Sequence, residues 1–239
     1  MDQFKVFRAI GLAFKAWFAN FIPITLLAAV LYAPVIYWLT TLGTPTGSFE
    51  KYLDSINHGV WLQQGLATLI APMLTYRVIQ YMNGQPSSMI TSIKFGLRGI
   101  LPAAILATAT TILNFAPMGG IIGIVLTCLW FVAAPAAVVE RLNPITALSR
   151  SGTLTSGRRW PIFGLCFLIG VIVFVIMLIF IVPAATAHDS SGLRNMVIAI
   201  FAIGCVSQVF MGIVQAVSYS LLRGDKDGVT NEELAKVFE

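Results

Sequence analysis

Residues Val138 to Gly164 read VVERLNPITALSRSGTLTSGRRWPIFG, and the way this stretch leaves one apolar run and enters another decides the fold. It turns at Asn143-Pro144, passes through a short segment bearing Arg150, Arg158 and Arg159, and enters the next run at Trp160-Pro161. Around it lies a chain of 239 residues, 57% hydrophobic and 10% charged. In water such a chain would expose most of its apolar side chains, so the expected solvent is a bilayer. The net charge of +5 is spread over the ends of apolar runs with no dense basic block. That distribution fits membrane orientation and gives no ground for a nucleic-acid partner.

Cys128, Cys166 and Cys205 each sit inside an apolar run, odd in number and without CxxC spacing. They read as packing residues, with neither a disulfide framework nor a zinc site expected. The first apolar run is of spanning length and follows an aromatic-rich amphipathic stretch, so the N-terminus does not read as a cleavable signal peptide.

In chain order, Phe4, Phe7, Gly11, Phe14, Phe18 and Phe21 fall on one helical face, while Lys5, Arg8, Leu12, Lys15 and Ala19 fall on another. This predicts either a helix lying in the interface, its cations on anionic headgroups, or an extension of the first span packed on its neighbours. The first span runs from about Asn20 to Leu42, enough to cross about 30 Å at about 1.5 Å per residue, with Pro34 in its interior. A polar loop, Thr44 to His58, is expected outside. The second span covers about Gly59 to Tyr81 and ends at the turn Asn83-Gly84-Gln85-Pro86. A short amphipathic piece, Met89 to Arg98, leads to Pro102 and a short third run ending near Asn114, followed by a reversal at Pro117-Met118-Gly119-Gly120.

The fourth span, about Ile121 to Val139, contains Pro135 and ends at Glu140-Arg141. Asn143 is placed to cap the next short helix and Pro144 to begin it. The fifth, Pro161 to Val182, lacks charged, amide and hydroxyl side chains and predicts a wide lipid-facing side. A loop from Pro183 to Arg194 precedes the last span, about Asn195 to Leu222. A charged tail follows, residues 223–239, in which Asn231 to Phe238 suit a short amphipathic helix.

Six spans place both termini on one side, with thirteen Lys and Arg residues there and only Lys51 and Arg194 opposite. The asymmetry predicts cytoplasmic termini. The entries FANFIP, GLRGILP and SGRRWP, and the matched Ala71-Pro72 to Arg77 and Ala134-Pro135 to Glu140, suggest three repeated units, 1–86, 87–143 and 144–222, within one membrane domain. The fold expected is all-α: six transmembrane helices as three hairpins, each preceded by a short amphipathic interfacial helix. The rival explanation is that interfacial helices and prolines are simply common in membrane proteins.

The candidate lipid-headgroup residues are Lys5, Arg8, Lys15, Lys94, Arg98, Arg150, Arg158 and Arg159; the candidate intramembrane polar residues are Arg77, Glu140, Gln208 and Gln215. Glu140 is expected to approach Arg77, or Arg150 or Arg158, in a shielded pair, unless these side chains snorkel to the interface. Gly204, Gln208, Gly212, Gln215 and Tyr219 share one face of the last span, which implies amides bonded within the bundle or lining a wet path. Ser149 and Ser151 beside Arg150 suit phosphate, or a cap and headgroup contacts. No catalytic, metal-binding or cofactor-binding set stands out: His58 and His188 lack companions, and no nucleophile elbow, phosphate loop or HExxH motif occurs.

Glu140, Pro144, Ala147-Leu148, Arg150-Ser151, Leu154, Gly157 and Trp160, in that order, make the central stretch resemble the membrane domain attached to some bacterial glycerophosphoryl diester phosphodiesterases and its stand-alone YciC-type relatives. The resemblance implies a bacterial cytoplasmic-membrane protein, and the phosphodiesterase's catalytic barrel has no counterpart here. The expected function is therefore a non-catalytic integral membrane protein that organises anionic lipid or a membrane partner, a second copy included. A small permease or lipid-handling channel, suggested by Gln63, Gln64, Gln208 and Gln215, and an accessory subunit of a larger membrane complex are the alternatives.

Overall fold

The computed structural model describes residues 5–41, 49–85, 88, 90–97, 104–105, 119–186 and 190–228, and among them every regular element is a helix. The first is α1, Val6–Ala19. Its three faces follow from its sequence: Ala9, Ala13 and Ala16 are wholly buried, Phe7 and Phe18 on the opposite side are 81% and 68% exposed, and Lys5, Arg8 and Lys15 stand exposed on the flank. Small residues let the α1 backbone come close to the bundle, as membrane helices commonly do. The helix packs on its neighbours, as one of the two expectations has it, with Phe14 against Phe210 while Phe7 and Phe18 stay outside.

Asn20 ends α1 and starts α2, Phe21–Thr41. Its backbone N–H donates to Ala16 and Trp17, its side-chain Nδ2 donates to Ala16 O at 3.0 Å, and its carbonyl accepts from Ile24 at 3.0 Å. The chain thus changes helix with its backbone groups bonded, a requirement wherever water is scarce. Next come α3, Phe49–Met82, and a helical segment at residues 90–97. Then follow α4, Gly119–Leu129, α5, Ala133–Val139, α6, Pro144–Thr155, α7, Arg159–Thr186, and α8, Ser190–Asp227.

Helices α3 and α8 run parallel at the centre. Gln63 Nε2 donates to Phe201 O at 3.0 Å and to Cys205 Sγ at 3.2 Å, and two to three turns further along both helices Gly212 faces Leu74. Helix α2 is antiparallel to them: Trp38 meets Phe201 with ring centroids 5.3 Å apart, and nearer the other end the Tyr32 hydroxyl donates to Gln208 Oε1 at 2.8 Å. Helix α7 lies along α8 and buries Ile162, Leu165 and Ile169 at helical spacing. Its other side, with Phe167, Phe174 and Ile179, is exposed along its length.

Among the described residues three helices are long and apolar enough to cross a membrane, over Phe21–Leu39, Arg159–Phe180 and Arg194–Asp227, and Gly123–Val139 is a shorter apolar stretch. Several boundaries differ from those the sequence predicts. The expected outer loop to His58 is helical from Phe49, the helix of the fifth run continues through Pro183 to Thr186, the next begins at Ser190, and the last helix continues past Leu222 to Asp227. In each case intrahelical hydrogen bonding carries on beyond the apolar residues, because polar side chains at the end of a span do not stop a helix. The fourth run is not continuous but divides at residues 130–132. The third run to Asn114 apart from residues 104–105, Arg98, the Pro117-Met118 part of the reversal, His188 and the amphipathic tail segment to Phe238 lie outside the described residues.

The turn at Asn143-Pro144 forms as the sequence predicts. Pro144 opens α6, and Asn143 Oδ1 accepts from the backbone N–H of Thr146 at 2.9 Å. This bond satisfies one of the four N–H groups that a helix start leaves without partners. Asn143→Ala is expected to cost about 1 kcal/mol while Asn143→Asp costs much less, and thermal unfolding of the two variants in detergent checks the difference.

Candidate functional site

The site grows from the broken helix. Pro135 has no N–H to donate to Phe131, the α-helical ladder breaks at 130–132, and α5 restarts with Pro135 in its first turn. A break in an apolar run leaves backbone groups that need partners. Helix α6 supplies them: the buried Ser151 hydroxyl donates to Leu129 O at 2.8 Å and accepts from Val132 N at 3.3 Å. Thr155 Oγ1, also buried, donates to Ser151 O at 2.9 Å and lies 3.4 Å from Leu129 O. The Ser151 hydroxyl thereby serves the break between α4 and α5.

Helix α5 ends at Glu140. Arg141 takes the left-handed conformation, φ 52°, and Leu142 N–H donates back to Ala137 O at 3.1 Å, a Schellman closure built on a residue other than glycine. The reversal leaves the Glu140 carboxylate facing α6 and α8. Arg150 Nε lies 3.0 Å from each Glu140 oxygen, and its Nη2 pairs with Asp227. From α8 the Tyr219 hydroxyl donates to Glu140 Oε1 at 2.9 Å and accepts from Arg223 Nη1 at 2.9 Å. Arg223 Nε lies 3.7 Å from Glu140 and 3.6 Å from Asp227. Tyr219, Arg223 and Asp227 are spaced four residues apart, which lines all three up on one face of α8.

Two carboxylates and two guanidiniums thus interleave, with side-chain exposures between 15% and 28%. Burial works against the charge on Arg150, but its hydrogen bonds to Asp227 and Glu140 and their Coulomb attraction outweigh it, holding the guanidinium more firmly protonated than usual. Beside this set, Gly157 in the left-handed conformation, φ 77°, swings the chain from α6 into α7. There Arg158 Nη2 pairs with Asp225 at 3.4 Å and Lys226 Nζ donates to Ser156 at 3.1 Å. The cluster clamps the end of α8 to the α5, α6 and α7 junctions.

Glu140 therefore pairs with Arg150, one of the partners the sequence offered, while Arg77 Nε donates to Asn20 Oδ1 at 3.0 Å. Arg150 and Arg158 are turned to carboxylates of the chain itself; Lys5, Arg8, Lys15, Lys94 and Arg159 are exposed. Gln208 bonds Tyr32, and Gln215 is half-buried on α8. The sequence reading missed Asp225, Asp227, Arg223 and Asn20. The first three were assigned to a tail after Leu222, although the 219, 223, 227 spacing marks a continuing helical face. Among the described residues no group of three or more His, Cys, Asp and Glu is placed to hold a metal ion.

These features define an α-helical membrane protein with a charged clamp at one end of its bundle. Beyond that class, no protein family, no curated protein and no solved structure matches the chain.

Proposed function

We propose that this chain is a non-catalytic, multi-pass protein of the bacterial cytoplasmic membrane, with six spans in three hairpins and both termini cytoplasmic, that organises anionic lipid or a membrane partner. The observation that carries the reading is the division of labour on α1. Its alanines are spent on the bundle, which leaves Phe7 and Phe18 facing outward beside the exposed Lys5, Arg8 and Lys15. An outward apolar stripe flanked by cations suits the boundary between acyl chains and anionic headgroups. Trp160, 83% exposed, next to the exposed Arg159, repeats the combination at the start of α7.

The resemblance of residues 140–160 to the membrane domain of the phosphodiesterases leads to the same reading. Gln63 and Gln208 spend hydrogen bonds on Phe201, Cys205 and Tyr32 across helix interfaces. That use supports packing over a water-filled path, and so disfavours a permease.

The test is binding of the purified full chain to nanodiscs of phosphatidylglycerol or phosphatidylcholine, followed by native mass spectrometry of what is retained. The wild type is expected to keep phosphatidylglycerol in preference. Lys5→Gln/Arg8→Gln/Lys15→Gln is expected to lower that preference by up to about a hundredfold, at roughly 1 kcal/mol per cation near an anionic surface. A wild type that keeps neither lipid nor any membrane protein sinks the proposal.

A further inference from the structure

A groove of about 470 Å3 runs between α2 and α8, from Phe21 to Leu39 on α2 and with Trp17 of α1 at its inner end, and its Arg194 end lies away from the Glu140 clamp. Its floor is buried and apolar, formed by Ile24, Val35, Leu39, Phe201 and Val209. Its rims, Thr25, Ala29 and Ile36 on α2 and Ala202 and Val206 on α8, are exposed. The groove therefore opens sideways, toward where the acyl chains would lie. Along α8 it extends from Arg194 to Val209, roughly 22 Å at about 1.5 Å per residue, out of a hydrocarbon core of roughly 30 Å. Its volume falls within the range of about 300–1,000 Å3 typical of small-ligand sites.

Polar groups in the groove are few, and most are occupied. The Tyr32 hydroxyl is bound to Gln208 and the Cys205 sulfur accepts from Gln63. Among the described residues that line the groove, Arg194 is the single charged one and no carboxylate meets it. Its Nε is buried and makes no hydrogen bond to the described residues. A guanidinium N–H withdrawn from water without an acceptor is costly, more so beside hydrocarbon, and a phosphate oxygen is the acceptor that its geometry fits best. The cation stands at the mouth of a long apolar channel, as the phosphate of a phospholipid stands at the head of its acyl chains.

We propose that the groove between α2 and α8 binds one anionic phospholipid, an acyl chain along Val35 and Val209 and the phosphate on the Arg194 guanidinium. The proposal rests on the membrane reading above but not on the cations of α1. With cytoplasmic termini the lipid belongs to the outer leaflet, because Arg194 and the Glu140 clamp lie at opposite ends of α8. The lipid would hold apart two helices that touch mainly through Trp38, Phe201, Tyr32 and Gln208, and would complete a side of the bundle that the chain leaves open.

Native mass spectrometry of the full chain titrated with phosphatidylglycerol or phosphatidylcholine tests this, with Arg194→Gln, Arg194→Lys and Ala202→Trp compared with the wild type. Arg194→Gln is expected to reduce the preference for phosphatidylglycerol about fivefold, and Arg194→Lys to keep most of it. Ala202→Trp places an indole across an exposed rim and is expected to remove one lipid of either kind. Equal lipid retention in wild type, Arg194→Gln and Ala202→Trp overturns the proposal, as does a dimer that Ala202→Trp dissociates, since a second copy then occupies the groove. Loss of lipid in the α1 triple variant with Arg194-dependent binding intact separates the two sites. An Arg194-independent loss confined to that triple variant leaves the α1 reading standing and overturns this one.

Discussion

Glu140→Ala is expected to destabilise the detergent-solubilised protein by roughly 3 kcal/mol, the lower part of the range for breaking a buried ion pair. The carboxylate accepts hydrogen bonds from Arg150 and Tyr219 and lies 3.7 Å from Arg223, so its removal leaves two guanidiniums sharing Asp227. At 15% exposure for Glu140, water cannot fully replace what is lost. Glu140→Gln keeps the shape and one acceptor and is expected to cost less. Glu140→Ala/Arg150→Ala is expected to cost clearly less than the sum of its single changes, because the second change removes a cation that the first has stranded. Thermal or denaturant unfolding of the four proteins reads all of this. A cost below about 0.5 kcal/mol for Glu140→Ala would mean that the clamp is a surface pair of the ordinary weak kind.

Gly59→Ala carries the second large effect and has the opposite sign to helix propensity. A methyl group on Gly59 would lie 2.4 Å from two ring carbons of Trp38 and 2.9 Å from the Phe201 ring. Both rings are engaged with each other, their centroids 5.3 Å apart, so neither can swing aside without opening the junction of α2, α3 and α8. Overpacking of this kind costs typically 1–3 kcal/mol, roughly, against a gain of roughly 0.5–1 kcal/mol from alanine in a helix. Gly65, on the same helix, has nothing within 4 Å of the same methyl position. Gly65→Ala is therefore expected to be neutral or stabilising where Gly59→Ala destabilises, and fluorescence of the purified variants on heating compares them directly. Equal behaviour of the pair would place Trp38 elsewhere.

Much of the fold is legible in the sequence, because apolar runs and their punctuation are strong signals. The Asn143-Pro144 cap and the apolar outer face of α7 both follow from local residues. What local reading misses is how far a helix extends beyond its apolar part. Hydropathy marks where lipid contact ends, whereas the backbone of α8 goes on bonding to itself through Arg223 and Asp227. Those residues carry half of the charged clamp. Pro135 announces a disturbance in its run, yet the partners that make a full break tolerable, Ser151 and Thr155, come from the next helix. Nothing within 119–139 points to them. The pairing of Glu140 with Arg150 was one of several partners open to it, and the choice is made by the left-handed Arg141, which turns the carboxylate toward α6.

That dependence on the next helix imposes an order on assembly. Residues 119–139 leave the ribosome before 144–155, so during synthesis the interrupted run exists for a time without the hydroxyls that later hold Leu129 and Val132. Until they arrive, its exposed amide and carbonyl must be satisfied by water or by the insertion machinery. The interrupted run therefore reaches its final bonded state only once Ser151 and Thr155 have been made.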